Sequence, residues 1–300
     1  MARRAKDDPS VSGVVLVDKP AGATSHDVVG RARRALGVRR IGHSGTLDPA
    51  ATGLLILGVG WVTRVLRFTG EHPKTYVADI ALGTETTTWD AEGDVVESTP
   101  MSVTRDELDA ALTEFLGEIE QVPPAYSAIK VGGEKLYDKA RRGENVDPEP
   151  RNVSIHSLKV SEFDDDTLTL VVECSSGTYI RSLAHDLGVA LGGHAHLAGL
   201  RRTRIGPHRV EDAADLDVLS DERRDLLLPA AVAMQGLATV RVDADDAQAV
   251  MHGRRIDIDC SLGPVGIIDE AGDLVAVFEF DGTRARPACV RPQAAGNPGR

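Results

Sequence analysis

Residues 42–57 read GHSGTLDPAATGLLIL, an irregular loop followed by a hydrophobic run. The glycines and Pro49 predict an irregular backbone over residues 42–53, where Asp48 is the one carboxylate. The run Leu54–Leu57 predicts a buried strand or helix that would fix the loop. No Gly-Lys-Ser/Thr follows the glycines, so the stretch is not a phosphate-binding loop. Asp48 is therefore either a catalytic acid or the cap of an ordinary Asp-Pro turn.

Outward from this loop, hydrophobic periodicity predicts an irregular alternation of strands and helices. A helix is expected to begin at Thr24 or Ser25 and to end at Gly37. The other expected elements are strands at 14–17, 75–82 and 168–174, helices from Thr104 to Gly117 and from about 178 to 191, and a hairpin at 265–280, with only short strands beyond residue 238. The sequence thus predicts a mixed α/β (α+β) fold with a small β-rich C-terminal module.

The predicted domain organisation follows from these composition changes. We expect a disordered N-terminus at 1–10, a main domain at 11–235, the C-terminal module at 236–292 and a disordered tail at 293–300.

Charge is distributed unevenly along the chain. The net charge of −12 disfavours a nucleic-acid partner, but residues 1–42 hold nine Lys/Arg against four Asp/Glu. Residues 177–210 hold five arginines against one acid, whereas 211–281 hold five against seventeen. Because a phosphate backbone responds to the local field, the basic clusters could bind RNA or simply form a solvated surface.

Several classes of protein are disfavoured by the composition. No apolar stretch is long enough for a membrane helix, and the N-terminus lacks a signal-peptide core, so we expect no membrane association and a cytoplasmic location. Three cysteines form neither a disulfide framework nor a zinc spacing. His194 and His196, with His185 and Asp186 nearby, are the weak candidates for a metal site, and we predict none.

Five further segments, together with GHSGTLDPAATGLL, resemble the motifs of the TruB-type tRNA pseudouridine synthases. They occur in the same order and cover roughly residues 14–206. The segments are VDKP (17–20), KTY (74–76) with Leu82, Gly83, Thr86, Thr88 and Asp90, QVPPAYSA (121–128), CSSGTYIRSLA (174–184) and LRRTR (200–204).

This resemblance implies a largely antiparallel-sheet pseudouridine-synthase catalytic domain, followed by a PUA-like RNA-binding module. The implied activity is isomerisation of uridine 55 in the T-loop of tRNA, after the uridine has been flipped out. It also implies tRNA binding, with possible help in tRNA folding. Rejoining the same base through carbon requires no redox cofactor, metal or nucleotide, so we expect no cofactor. We expect the T-arm of tRNA as partner, no protein partner, and a monomer.

The resemblance also implies roles for individual residues. Asp48 would be the nucleophile or base, since an aspartate is ionised at neutral pH without a partner base. Arg181 would orient Asp48 through an ion pair, and Tyr76 would stack on the uracil and take part in proton transfer. The implied substrate-binding residues are His43, Tyr179, Leu200, Lys19 and Pro20. The expected contacts to the RNA backbone are Arg31, Arg33, Arg34, Arg39, Arg40, Arg201, Arg202 and Arg204.

Two alternatives from other classes compete with this interpretation. A non-catalytic RNA-binding protein would explain the arginines but not the combination of Asp48, Tyr76 and Arg181. A hydrolase using His43, Ser44 and Asp48 would require a triad from residues that are close in sequence, whereas triad members usually come from separate elements.

Overall fold

The computed structural model describes residues 11–126, 130–131, 134–135, 142, 148–219, 224–254, 256, 258, 263–280 and 282–293. The termini predicted to be disordered, apart from Gln293, lie outside the described residues. The chain forms two compact units. One combines Met1–His72 with Ile205–Arg300, and the other is Pro73–Arg204. The predicted boundary at residue 235 stays a prediction.

The described helices and strands give a mixed α/β fold, as predicted. The helices are α1 (Ser25–Leu36), α2 (Leu66–Thr69), α3 (Arg105–Glu114), α4 (Ile180–Ala190) and α5 (Ala244–Met251). The strands are β1 (Gly13–Lys19), β2 (Ile41–His43), β3 (Thr52–Val59), β4 (Lys74–Leu82), β5 (Thr84–Thr86), β6 (Val95–Ser98), β7 (Gly117–Gln121), β8 (Lys130–Val131), β9 (Glu134–Lys135), β10 (Arg151–Phe163), β11 (Thr167–Cys174), β12 (Ala195–Ile205), β13 (His208–Arg209), β14 (Ala214–Asp215), β15 (Ala238–Arg241), β16 (Gly263–Ile268), β17 (Leu274–Phe280) and β18 (Ala285–Val290). Short 3-10 helices occupy Gly60–Arg64, Val210–Asp212, Leu216–Val218, Arg224–Leu226 and Ala230–Met234.

In the first unit, β1 and β3 form an antiparallel pair with hydrophobic residues on both faces. Val15 and Leu57 face a core that contains α1, whereas Leu16 and Ile56 face a second core that reaches α2 and the C-terminal sheet. Continuous runs such as VVLV and LLIL are what a strand buried on both faces requires. The predicted strand at 14–17 is therefore confirmed, and the run at 54–57, for which a strand or a helix was predicted, is a strand.

The C-terminal part of this unit is a four-stranded sheet in the order β15-β16-β17-β18. The predicted hairpin is confirmed, because β16 and β17 pair antiparallel around the turn at 270–272. The expectation of only short strands beyond residue 238 was wrong, since α5 lies within this region. Asp243 begins that helix, its carboxylate accepting a hydrogen bond from the Asp246 amide at 2.8 Å, and so the acidic residues there favour a helix N-terminus.

The second unit contains a sheet in the order β12-β4-β11-β10-β7, whose β4-β11-β10-β7 part is antiparallel. Residues Tyr76, Ala78, Ile80 and Leu82 are buried on one face of β4, as the alternation predicted. Helix α3 begins where it was predicted, with Thr104 as its N-cap and a capping box formed by Thr104 and Glu107. It ends three residues earlier than predicted, because Gly117 adopts a positive φ of 91° and opens β7.

In the part of the chain that the structure describes, every helix is too short or too polar to cross a membrane.

Candidate active site

Asp48 lies on the loop that joins β2 to β3 in the first unit. The loop is fastened from both sides: the Ser25 hydroxyl donates to the Leu47 carbonyl at 3.1 Å and accepts from the Leu47 amide at 2.9 Å. The Ser44 amide donates to the Ile56 carbonyl at 3.0 Å. Ser25 is buried, whereas Asp48 is half-buried. These hydrogen bonds thus hold a carboxylate at a partly accessible position, as a catalytic carboxylate requires.

Lys19 is buried at the end of β1 and supports the same loop. Its ammonium group donates to the carbonyl oxygens of Pro20, Ala23 and Pro49 at 2.9, 2.7 and 3.1 Å. These bonds match the three donors of an ammonium group, and the last acceptor directly follows Asp48. Lys19 is 0% exposed, so in this conformation it shapes the loop and does not offer a surface to substrate. Pro20, by contrast, is exposed.

His43 is the last residue of β2 and is half-buried, opposite Leu57 of β3. The adjacent Ser44 is only 3% exposed, and its hydroxyl has no hydrogen-bond partner among the described residues. A nucleophilic serine requires a base in hydrogen-bond contact. In this conformation the Ser44 hydroxyl makes no such contact with His43.

Arg181 lies in the first turn of α4 in the second unit, and its side chain is 7% exposed. It forms an ion pair with Asp90, with Nη1 and Oδ2 3.3 Å apart, and it also donates to the carbonyl oxygens of Thr88 at 3.3 Å and Tyr126 at 2.9 Å. The other Asp90 oxygen accepts from the Thr88 hydroxyl at 2.5 Å. Both members of the pair are therefore held from several directions.

Asp90 belongs to one of the motifs that carry the resemblance, but it was not predicted as a site residue. The available signal was the acid itself, which directly follows three threonines and a tryptophan in the segment TTTWD (86–90). The predicted partner of Arg181, Asp48, belongs to the other unit. An ion pair between Arg181 and Asp48 stays a prediction.

Gln121 fixes the start of α4 and was also missed by the sequence analysis. Its amide donates to the Tyr179 carbonyl at 2.9 Å and accepts from the Tyr179 amide at 2.7 Å. The Ser182 hydroxyl donates to the Val122 carbonyl at 2.7 Å. Tyr179 provides no side-chain cap, and its carbonyl also accepts from the Leu183 amide at 3.1 Å, so Gln121 holds the residue that precedes the helix. The QVPPAY segment thus surrounds the turn that carries Arg181.

Tyr76 and Leu200 lie on the neighbouring strands β4 and β12. Tyr76 is 8% exposed and opposite Val172, whereas Leu200 and Tyr179 are half-buried. Cys174, at the end of β11, is buried, and burial raises the pKa of its thiol to about 11. The thiol therefore stays protonated at neutral pH and is not a nucleophile.

The predicted RNA-contacting arginines differ in their accessibility. Arg34, Arg39, Arg40 and Arg204 are exposed. Arg31 pairs with Asp217 at 3.0 Å, and Arg33 donates to the Ile41 carbonyl at 3.0 Å. Arg201 is half-buried, and Arg202 is only 1% exposed. The prediction of a surface phosphate contact does not fit Arg202, because its guanidinium is enclosed by protein in this conformation.

The histidines considered for a metal site contact carboxylates and a carbonyl. His185 contacts Asp186 and Glu85, His194 contacts Glu85 and Glu97, and His196 contacts the Thr84 carbonyl. Among the described residues, no three His, Cys, Asp or Glu side chains are arranged to hold a metal ion.

Comparison with known protein families covers nearly the whole chain. Residues 33–180 match the N-terminal domain of the TruB family of pseudouridylate synthases. Residues 181–235 match the tRNA pseudouridylate synthase B C-terminal domain, and residues 237–292 match the C-terminal model of tRNA pseudouridine synthase II.

Individual relatives and solved structures give the same result. The tRNA pseudouridine synthase B of Thermobifida fusca is 46% identical over 287 residues, covering 93% of this chain and 98% of that protein. That of Mycobacterium tuberculosis is 42% identical, covering 96% and 98%. A chain in the crystal structure of a Cbf5-Nop10-Gar1 complex is 27% identical with a TM-score of 0.72, covering 96% of this chain and 92% of that one.

Proposed function

Because the chain belongs to the TruB family of pseudouridylate synthases, we propose that it converts uridine 55 in the T-loop of tRNA to pseudouridine. The observation that carries this proposal is the identity of 42–46% to proteins named tRNA pseudouridine synthase B over nearly their full length. The position within tRNA follows from the motif resemblance. Pro49 and Gly53, which make the Asp48 loop irregular, belong to the same motif.

The reaction breaks the bond between N1 of uracil and C1′ of ribose and forms a bond between C5 and C1′. The hydrogen on C5 leaves as a proton, and N1 gains one, so the product is an isomer of the substrate. Asp48 begins this exchange as an ionised carboxylate. It attacks C6 of the base or C1′ of the sugar, or it removes a proton on the way to a glycal.

Arg181 and Tyr76 assist this step in the proposal. Arg181 carries a permanent charge and a planar set of donors, which suits it to orient a carboxylate. Its pair with Asp90 fixes the guanidinium before substrate arrives. Tyr76 offers a ring to stack on uracil and a hydroxyl for proton transfer.

Uridine 55 lies inside a folded loop, so it must leave its stack before Asp48 can reach it. His43 would occupy the space that the base leaves, while Tyr179 and Leu200 would line the pocket. The exposed Arg34, Arg39 and Arg40 would contact phosphates, and the C-terminal sheet would add a second RNA-binding surface. We expect a monomer that acts in the cytoplasm, where tRNA is found.

The direct test uses a tRNA transcript that carries tritium at C5 of its uridines. Forming the new C–C bond expels the hydrogen from C5, so each conversion releases one tritium into water. We expect release of one equivalent per tRNA and none from a transcript with cytidine at position 55. Release that persists with the cytidine transcript would disprove the position, and no release from either would disprove the activity.

A further inference from the structure

Two stacked aromatic rings belong to residues that lie next to the two members of the Arg181–Asp90 ion pair. Trp89 directly precedes Asp90, and His185 lies one helical turn after Arg181 on α4. Their rings stack, with centroids 4.2 Å apart and planes 22° from parallel. Trp89 was not predicted as a site residue, and His185 was considered only as a candidate near a metal site.

The backbone of Trp89 is in an unusual conformation. Its φ is 59°, and it is the only residue other than glycine with a positive φ among those described. A bulky side chain rarely adopts this conformation unless its surroundings hold it there. Here the Trp89 amide donates to the Thr86 carbonyl at 3.2 Å, the Leu197 amide donates to the Trp89 carbonyl at 3.0 Å, and His185 holds the ring.

The imidazole of His185 is itself held at both edges. Its Nδ1 lies 3.0 Å from an Asp186 oxygen, and its Nε2 lies 3.5 Å from Oε1 of Glu85. The second oxygen of Glu85 is 3.1 Å from Nδ1 of His194. The ring against which Trp89 stacks is therefore fixed in place.

Both neighbours of Trp89 contact Arg181. The Thr88 carbonyl accepts from Nη1 at 3.3 Å, and Oδ2 of Asp90 lies 3.3 Å from the same nitrogen. If Trp89 relaxed to an ordinary negative φ, the directions of these two acceptors would change together. The conformation of Trp89 thus determines how these two acceptors face Arg181.

We propose that Trp89 and His185 are positioning residues, which hold Thr88 and Asp90 against Arg181 for pseudouridine formation. This inference rests on the proposed function, since it assumes that Arg181 acts in that reaction. Neither ring is assigned a contact with the reacting atoms. Small displacements of a catalytic group reduce rate strongly while leaving binding intact.

The test compares His185→Ala, which removes the ring, with His185→Phe, which keeps a stacking ring without the carboxylate contacts. Trp89→Gly removes the other ring while tolerating the positive φ. Val189→Ala, at an exposed position on the same helix, is the matched control. The measurements are the single-turnover rate of pseudouridine formation with enzyme in excess, and the Kd for tRNA.

We expect His185→Ala and Trp89→Gly to lower the single-turnover rate about tenfold or more, with Kd unchanged to within about twofold. His185→Phe should recover most of the rate, and Val189→Ala should match the wild type. An unchanged rate in His185→Ala would overturn the inference, as would an equal loss in His185→Phe.

A double variant separates positioning from a general loss of structure. If His185 acts through Asp90, adding His185→Ala to Asp90→Ala should lower the rate no further. Losses that multiply would contradict the inference. If the wild type fails to convert uridine 55, the proposed function fails by itself. Thermal unfolding of His185→Ala, Asp90→Ala and the double variant then tests whether the stack holds Asp90 in place. Additive losses of stability would show that it does not.

Discussion

The side-chain amide of Gln121 holds the backbone of Tyr179 at both its amide and its carbonyl, at 2.7 and 2.9 Å. The two residues are 58 positions apart in the chain. The contact fixes Tyr179, the residue that directly precedes α4 and lies two positions before Arg181. The neutral side chain of Gln121 therefore helps to decide where the charged side chain of Arg181 lies.

Replacing Gln121 should affect stability and activity together. Gln121 is 2% exposed, and Gln121→Ala removes both of its hydrogen bonds to the Tyr179 backbone, so we expect the free energy of unfolding to fall by about 1–3 kcal/mol. Gln121→Glu keeps an acceptor for the Tyr179 amide but loses the donor, so its activity should be intermediate. Chemical denaturation measures the loss, with exposed Gln235→Ala as the control. A loss no larger than that of the control would exclude this role.

Asp48→Asn should abolish pseudouridine formation while tRNA binding survives. The amide keeps the shape of the side chain and part of its hydrogen bonding, but not the charge on which nucleophilic attack depends. If Asp48 only capped a turn, the change would cost about 0.5–2 kcal/mol of stability and leave turnover intact. The tritium-release assay distinguishes the two, and activity near that of the wild type would refute a catalytic role.

Arg181→Lys should lower turnover strongly. Lysine retains the charge but cannot supply the planar set of donors that Arg181 extends to Asp90, Thr88 and Tyr126. The single-turnover rate and the melting temperature should both fall. Arg105→Lys, which changes an exposed ion pair with Asp109, serves as the control. A rate equal to the wild type would show that any positive charge suffices.

The affinity for tRNA should fall steeply with salt despite the net charge of −12. Each phosphate contact that is lost reduces the slope of log K against log salt by roughly 0.7–0.9. Arg34, Arg39 and Arg40 are exposed, so changing all three to glutamine should make the slope shallower without changing which uridine reacts. Titrations of tRNA at several salt concentrations measure the slope. An unaltered slope would remove these arginines from the RNA-binding surface.

Stability should decline as pH falls below the ordinary pKa of histidine. Burial, reinforced by the nearby His72, lowers the pKa of His208 from 6.5. Between that lowered pKa and 6.5 the unfolded chain binds a proton that the folded chain does not, so the free energy of unfolding rises with pH in this window. His208→Gln should flatten that slope, whereas exposed His156→Gln should not. Denaturation curves at pH 5 to 8 provide the measurement.

The sequence by itself determined the elements whose physical causes are local. The alternation over 75–82 reflects the two-residue period of a strand, whereas the continuous run of β3 was compatible with a buried strand or helix. The capping boxes at Thr24 and Thr104 are each complete within four residues, so the start at Thr104 was predicted and the other start was placed at Thr24 or Ser25. The loop around Asp48 was recognisable because its glycines and proline restrict the backbone locally.

Only the tertiary structure decided what depends on residues that are distant in sequence. The bond from Lys19 to the Pro49 carbonyl, the burial of Arg202 and the pairing of Arg181 with Asp90, 91 positions away, follow from how strands and loops pack. A basic residue reads the same in the sequence whether its side chain lies on the surface or in the core. Only the acceptors around the side chain differ. Because chain folding supplies those acceptors, the sequence could mark these residues as important but could not assign their partners.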